Sequence, residues 1–124
     1  MLDPRHRVEE AFSVAESRAG PLHVVQVEGP VDVLGALVLG RRLLATLNGG
    51  ALRLLLDVSR AQPLASGALL GTVLRIDRYA TRRDARLVVL AGAATEPMFE
   101  LDNARGHIAV AGSRAEAEAL LADR

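Results

Sequence analysis

The sequence predicts an α/β domain in which helices pack on a mostly parallel sheet. Two short apolar runs, residues 52–56 (LRLLL) and 86–91 (RLVVLA), are typical of strands that are covered on both faces. Around these runs, apolar residues recur at helical spacing, and Gly, Pro and Asn mark the boundaries. Because strands alternate with helices in this way, most strands are expected to run parallel to one another.

The chain divides into a short arm and one domain. Residues 1–9 are charged and contain Pro4, which predicts a loosely ordered arm. No later stretch has the composition of a linker or a repeat, so residues 10–124 are expected to form a single domain. A chain of 124 residues can bury one hydrophobic core but not two.

A β-hairpin is predicted at the start of the domain. Phe12 and Val14 stand among polar residues and indicate a first strand, while residues 23–28 are largely β-branched and indicate a second. The turn between them falls at residues 18–21, so the first strand becomes an antiparallel edge of the sheet. The dipeptide at residues 29–30 (GP) is expected to end the second strand.

A first helix is predicted from residue 33 to about residue 47. Asp32 stands where its carboxylate can cap the helix, and residues 48–50 (NGG) form a strong stop signal because Asn and Gly tolerate the left-handed conformation. The core-facing stripe, joined by the small residues Ala36 and Gly40, is expected to consist of Val33, Leu37, Leu44 and Leu47.

The middle of the chain predicts a buried strand, a loop and a second helix. The strand covers residues 52–57 and ends at Asp57, whose carboxylate is expected to hydrogen-bond the neighbouring loop. After the loop, Ser66 stands where a hydroxyl can cap a helix. Apolar residues at helical spacing then predict a helix over residues 69–80.

Two more strands and two more helices complete the predicted order β-β-α-β-α-β-α-β-α. The strands are residues 86–91 and 107–111, and a short helix that begins at Thr95 lies between them. The residues expected to point inward from this short helix are Met98, Phe99 and Leu101.

The last helix is predicted to open with a capping box at residues 113–116 (SRAE). In such a box the Ser hydroxyl and the Glu carboxylate each accept a hydrogen bond from a backbone N–H group of the other residue. This helix is expected to bury Ala117, Leu120 and Leu121.

The composition excludes several classes of function. The formal net charge is zero, so no broad electrostatic attraction to nucleic acid or anionic lipid is expected. Without Cys, there are no disulfides, thiolate nucleophiles or Cys-based metal sites. The apolar runs are shorter than the roughly 20 residues that span a bilayer, and the amino terminus lacks the apolar core of a signal peptide. We therefore expect a cytoplasmic protein that does not insert into a membrane.

No pattern predicts an enzyme, a metal site or a cofactor. His6, His23 and His107 are scattered without ligand spacing, and the glycines do not form a phosphate cradle. A Ser-His-Asp arrangement is not excluded, but the nucleophile-elbow motif is absent. Since no acid, base and nucleophile converge, a binding module is the preferred interpretation.

Three short motifs resemble, in order and spacing, those of the STAS domain, the fold of bacterial anti-sigma factor antagonists. They are residues 29–32 (GPVD), 56–59 (LDVS) and 66–70 (SGALL), and the resemblance covers about residues 12 to 122. It implies the STAS-like (SpoIIAA-like) fold. It also implies a regulatory protein whose partner is an anti-sigma factor that is also a serine kinase.

The same resemblance implies a phosphorylation switch whose acceptor is missing from this chain. In the family, an Asp is followed directly by the phosphorylated Ser or Thr, and the matching residues here are Leu64 and Ala65. Ala65 has no hydroxyl, so the usual switch cannot operate at this position. Ser66 matches the second, usually unmodified hydroxyl. A helix cap is its preferred interpretation, and phosphorylation is the alternative.

The resemblance places partner binding on the turn at residues 29–32, on the loop at residues 64–67 and on the exposed side of the second helix. The predicted contact residues are Asp32, Leu64, Ala65, Ser66, Gly67, Leu70 and Arg75. The last belongs to a series of Arg residues on and after this helix. A solvated face is the preferred interpretation of the series, and pairing with acidic groups of a partner is the alternative.

Two other functions remain open within the family. One is the small STAS subunit of an ABC lipid-transport system, and the other is a nucleotide-sensing STAS domain. The sequence also leaves open whether the chain forms a homodimer.

Overall fold

The computed structural model describes residues 12–100 and 108–122, and within them five strands form one sheet. The strands lie side by side in chain order: β1 (Ser13–Ala19), β2 (Leu22–Val31), β3 (Arg53–Pro63), β4 (Arg86–Leu90) and β5 (Ala109–Ala111). β1 is antiparallel to β2, and every following pair is parallel. The predicted α/β class, the element order and the antiparallel edge strand are therefore confirmed.

The helices divide unequally between the two faces of the sheet. They are α1 (Val33–Asn48), α2 (Ser66–Arg82), α3 (Glu96–Phe99) and α4 (Arg114–Ala122). Leu39 of α1 and Leu69 of α2 pack in one core with Leu56 of β3. On the opposite face, Leu121 of α4 packs against Leu55. This alternation of neighbouring β3 residues explains why the central strand reads as a continuous apolar run.

β2 continues through Gly29 and Pro30, where the sequence predicted its end. Gly29 adopts a positive φ of 89°, and the register with β3 shifts between Gln26 and Glu28, so a bulge absorbs the irregularity. β1 pairs with β2 only as far as Glu28, so Pro30 lies where β2 has a partner on one side alone and its missing N–H group is tolerated. The prediction of a strand end at residues 29–30 is therefore wrong.

β3 is also longer than predicted and carries Asp57 in its interior. The strand runs on to Pro63, which pairs with Val31 at the end of β2. The Asp57 carboxylate accepts hydrogen bonds from the backbone N–H (2.9 Å) and the hydroxyl (2.6 Å) of Ser59, two residues along the same strand. Asp57 is thus a buried side chain within β3 and not the strand-end residue that was predicted.

The face that α1 presents to the sheet differs from the predicted stripe. The buried residues of this helix are Gly35, Ala36, Leu39, Leu43 and Leu47, whereas Val33 and Leu37 are exposed and Leu44 is half-buried. Residues 33–39 (VLGALVL) are apolar or small at every position, so their periodicity does not determine which side faces the core. Of the predicted stripe, only Leu47 is fully buried.

The remaining element ends agree with the sequence in most respects. Gly50 adopts a φ of 103° after α1, as the stop signal predicted. α3 buries Met98 and Phe99, while Leu101 and His107 lie outside the described residues. At the start of α4, the Ser113 hydroxyl accepts the N–H group of Glu116 (3.1 Å).

The capping box of α4 differs from the prediction in one of its two hydrogen bonds. The Glu116 carboxylate accepts from the N–H group of Gly112 (3.0 Å), one residue before the expected donor. Ala117 and Leu121 are buried as predicted, and Leu120 is half-buried against the same core.

Candidate protein-docking surface

The carboxyl ends of β2 and β3 bring two of the predicted contact segments together. Because the two strands are parallel, Asp32 and the loop that begins at Leu64 emerge from the same edge of the sheet. The carbonyl oxygen of Val31 accepts hydrogen bonds from the N–H groups of Leu64 (2.9 Å) and Ala65 (3.3 Å). These bonds fix the loop against the start of α1, and we refer to residues 32–34 and 64–67 together as the tip surface.

Asp32 caps α1 as the sequence predicted. Its Oδ1 accepts the N–H group of Gly35 at 2.8 Å, which satisfies one of the donors that a helix leaves unpaired in its first turn. A Cβ at Gly35 would lie 3.4 Å from both this Oδ1 and a methyl group of Val31. The small residue therefore lets the cap and the end of β2 approach closely. The Asp32 residue itself remains exposed.

Ser66 is the first residue of α2 and not its cap, so that prediction is wrong. The cap position belongs to Ala65, which makes no side-chain hydrogen bond. Its carbonyl oxygen accepts the N–H group of Leu69 (3.1 Å), while its own N–H group is bound to Val31. The bonds to the end of β2 thus set where α2 begins. Ala65 and Ser66 are both partly exposed, and Gly67 is exposed with open space around it.

Large apolar side chains of the tip surface point into solvent. Val33 is 64% exposed, Leu34 69% and Leu64 67%. Exposed apolar groups that cluster on a soluble protein are typical of a binding surface. Sequence reasoning named Leu64 but missed Val33, which it placed in the core, and Leu34, because apolar residues of a helix were assumed to face inward.

Two of the predicted contact residues lie away from the tip surface. Leu70 is buried in the core beneath α1 and α2, so it supports the surface without being presented to a partner. Arg75 is exposed further along α2, and its guanidinium donates a hydrogen bond to the Thr72 hydroxyl (3.2 Å). The residues that the structure brings together are Asp32, Leu64, Ala65, Ser66 and Gly67.

A buried hydroxyl organises the neighbouring end of β4. The Thr95 Oγ1 accepts the N–H group of Gly92 (2.9 Å) and donates to the carbonyl oxygen of Val58 (3.2 Å). Gly92 lies so close to β3 that a Cβ there would be 2.5 Å from the carbonyl oxygen of Ser59. The loop after β4 is therefore held tightly against β3, in contrast to the exposed loop at residues 64–67.

Neither a metal centre nor a membrane span is found in the part of the chain that the structure describes. Across residues 12–100 and 108–122, His, Asp and Glu side chains nowhere gather in groups of three or more that could hold a metal ion. The helices within these ranges all lack the length or the apolar character needed to cross a bilayer.

Solved structures of regulatory proteins share this fold. An anti-sigma factor antagonist from Mycobacterium paratuberculosis superimposes with a TM-score of 0.75 at 18% identity, and the match covers 92% of this chain and 97% of that one. SpoIIAA, a Bacillus protein, superimposes in its unphosphorylated form with a TM-score of 0.70 at 16% identity, over 92% and 98% of the two chains. A variant of RsbS from Moorella thermoacetica gives a TM-score of 0.71 at 18% identity, over 89% and 95%.

The likeness lies in the fold and not in the sequence. No protein-family model matches the chain, and no curated protein sequence does either. The superpositions nevertheless extend over nearly the whole of both chains, and the order of strands and helices is the one that the sequence motifs implied. The chain is therefore a STAS-like domain with the SpoIIAA-like fold.

Proposed function

We propose that this domain is a non-enzymatic regulatory module that binds a protein partner through its tip surface. The partner we infer is an anti-sigma factor of the serine-kinase type, and the place of action is the cytoplasm. The observation that carries the proposal is the exposed apolar cluster of Val33, Leu34 and Leu64 beside Ala65, at the position where the family carries its phosphorylated residue. The similarity of fold to anti-sigma factor antagonists supports the choice of partner.

The geometry of the tip surface suits a docking role. Fully burying a side chain the size of Val or Leu yields about 1.5–3 kcal/mol, so covering three of them is a substantial contribution to binding. The loop is already held by two hydrogen bonds to Val31, and Asp32 already caps α1. Little backbone entropy is therefore lost on association, which favours affinity.

Binding can be tested with one pair of matched variants. The purified chain is titrated with the kinase-type anti-sigma factor of its own host, and the heat of binding is measured. Leu64→Asp places a charge in the apolar cluster and is expected to weaken binding at least about tenfold. Leu52→Asp is the control, because Leu52 is also exposed (59%) but lies before β3, at the opposite edge of the sheet.

The result that contradicts the proposal is equally definite. If the anti-sigma factor does not bind, or if Leu52→Asp weakens binding as much as Leu64→Asp does, then the tip surface is not its docking site. Binding instead to the ATPase of a lipid-transport system, with the same sensitivity to Leu64→Asp, would favour the transporter-subunit alternative.

We further propose that this binding lacks the phosphorylation switch of the family. Ala65 stands at the acceptor position and has no hydroxyl, while Ser66 occupies the first position of α2. After incubation with the host kinase and ATP, we expect the intact mass of the chain to be unchanged. An increase of one phosphate that disappears in Ser66→Ala would show that the acceptor has moved by one residue.

A further inference from the structure

A shallow apolar groove runs between α1 and α2, beyond the tip surface. Its lining includes Leu37, Gly40, Leu44 and Ile76, with Arg41 and Arg75 at its sides. Leu37 is 47% exposed, and Leu44 is half-buried, so apolar side chains are accessible along two turns of α1. We refer to these six residues as the helix groove.

The two helices are locked together beneath the groove. The Thr72 hydroxyl donates to the carbonyl oxygen of Ala36 (3.4 Å), and a Cβ at Gly40 would lie 3.3 Å from the Thr72 methyl group. Small residues at this crossing let the helices approach closely. The larger residues on either side then form the walls of the groove. Its shape is therefore built into the packing of α1 against α2 and does not depend on a loop.

The charges around the helix groove are of one sign. α1 contains no acidic residue, and the single acidic residue of α2 is Asp77, which does not line the groove. Arg41 has no hydrogen-bond or ion-pair partner among the described residues, and Arg75 contacts only the neutral Thr72 hydroxyl within that part of the chain. The acidic residues Glu96, Glu116 and Glu118 lie instead on α3 and α4. The neutral chain thus has a basic and apolar side at α1 and α2.

We propose that the helix groove binds an acidic amphipathic helix of a partner protein. Leucine-like side chains on one face of such a helix would cover Leu37, Leu44 and Ile76, as in other helix-in-groove complexes. Carboxylates beside that apolar stripe would pair with Arg41 and Arg75, and Arg suits this role because its guanidinium binds carboxylates with two parallel hydrogen bonds. The inference depends on the groove and its charges, and it stands whether or not the tip surface binds an anti-sigma factor.

The test uses the full chain and a model peptide. The probe is a fluorescent, stapled helix of about 12 residues with Leu along one face and Glu on both flanks, since an unstapled helix of this length is marginal in water. A second peptide carries Lys in place of Glu. We expect the acidic peptide to bind at least about tenfold more tightly than the basic one, and its affinity to fall as salt is raised.

Variants of the chain show whether the peptide occupies the helix groove. Arg41→Glu and Arg75→Glu are each expected to weaken binding of the acidic peptide about fivefold or more, while Arg114→Glu, the same charge change on α4, leaves it unchanged. Leu37→Ser removes an exposed apolar contact and is expected to weaken binding of both peptides. Leu64→Asp at the tip surface is expected to leave peptide binding unchanged, which separates this result from the test of the anti-sigma factor.

Other occupants of the helix groove appear as distinct outcomes. Equal binding of the acidic and basic peptides, or equal effects of Arg41→Glu and Arg114→Glu, overturns the proposal. If the chain self-associates and the peptide binds only to a Leu37→Ser monomer elsewhere, the groove belongs to a second copy. If the acidic peptide binds only after Glu9→Gln and Glu10→Gln are introduced into the full chain, the groove accepts the chain's own acidic segment. Either result excludes a separate partner.

Discussion

The two edges of the sheet carry their loops in opposite ways. At the edge where β2 and β3 end, the chain holds Leu34 and Leu64 in solvent on a backbone fixed by hydrogen bonds. At the opposite edge, tight turns close the connections: Gly20 and Gly50 adopt positive φ angles of 62° and 103°, and Asp84 adopts 59°. In open α/β sheets, ligands bind beyond the carboxyl ends of the strands. The comparison indicates that one edge of this domain is built for closure and the other for contact.

The largest expected effect follows from the tight packing of the loop after β4. In Gly92→Ala, the new Cβ would lie 2.5 Å from the carbonyl oxygen and 2.9 Å from the Cα of Ser59, so the backbone of β3 or of the loop must move. We expect the free energy of unfolding to fall by about 3 kcal/mol, as measured by urea denaturation.

The matched control for that substitution lies at the same edge. In Gly67→Ala the new Cβ meets no atom within 4 Å, and Ala is the better helix former, so stability should be unchanged or slightly raised. If both substitutions have the same effect on the unfolding midpoint, the loop after β4 is not held as closely as the structure indicates.

An intermediate effect is expected from the turns at the opposite edge. Gly50 requires a positive φ that a side chain disfavours, so Gly50→Ala should lower the free energy of unfolding by about 1–2 kcal/mol. Asp84 already adopts such an angle, and Asp84→Gly relieves that strain at some cost in backbone entropy. The second substitution should therefore be neutral or stabilising in the same denaturation experiment. A loss of stability in Asp84→Gly would mean that its side chain contributes to the turn.

The overall fold could be predicted because the sequence states it repeatedly and consistently. Apolar runs of strand length alternate with helical periodicity, and the stop at residues 48–50 and the hydroxyl of Ser113 act through neighbouring backbone groups. Such signals are local, so a single sequence is enough to interpret them. The same holds for Asp32, whose carboxylate reaches an N–H group three residues away.

The details of the tip surface could not be predicted because they depend on contacts between distant segments. The start of α2 is fixed by the bonds from Leu64 and Ala65 to Val31, and no local pattern reveals these bonds. The exposure of Val33 and Leu34 was missed for a related reason. Apolar residues surround the first two turns of α1, and only packing against the sheet decides which of them remain outside.

The smallest expected effect on stability is also the most informative one about the two edges. Leu34→Gln and Leu52→Gln each replace an exposed Leu, 69% and 59% accessible, with a polar residue of similar size. Because neither side chain is buried, each substitution should change the free energy of unfolding by no more than about 0.5 kcal/mol. An unchanged midpoint for Leu34→Gln would mean that the folded domain gains nothing from this apolar group. A loss above about 1 kcal/mol, with Leu52→Gln unaffected, would show instead that Leu34 is covered in solution by another part of the chain or by a second copy.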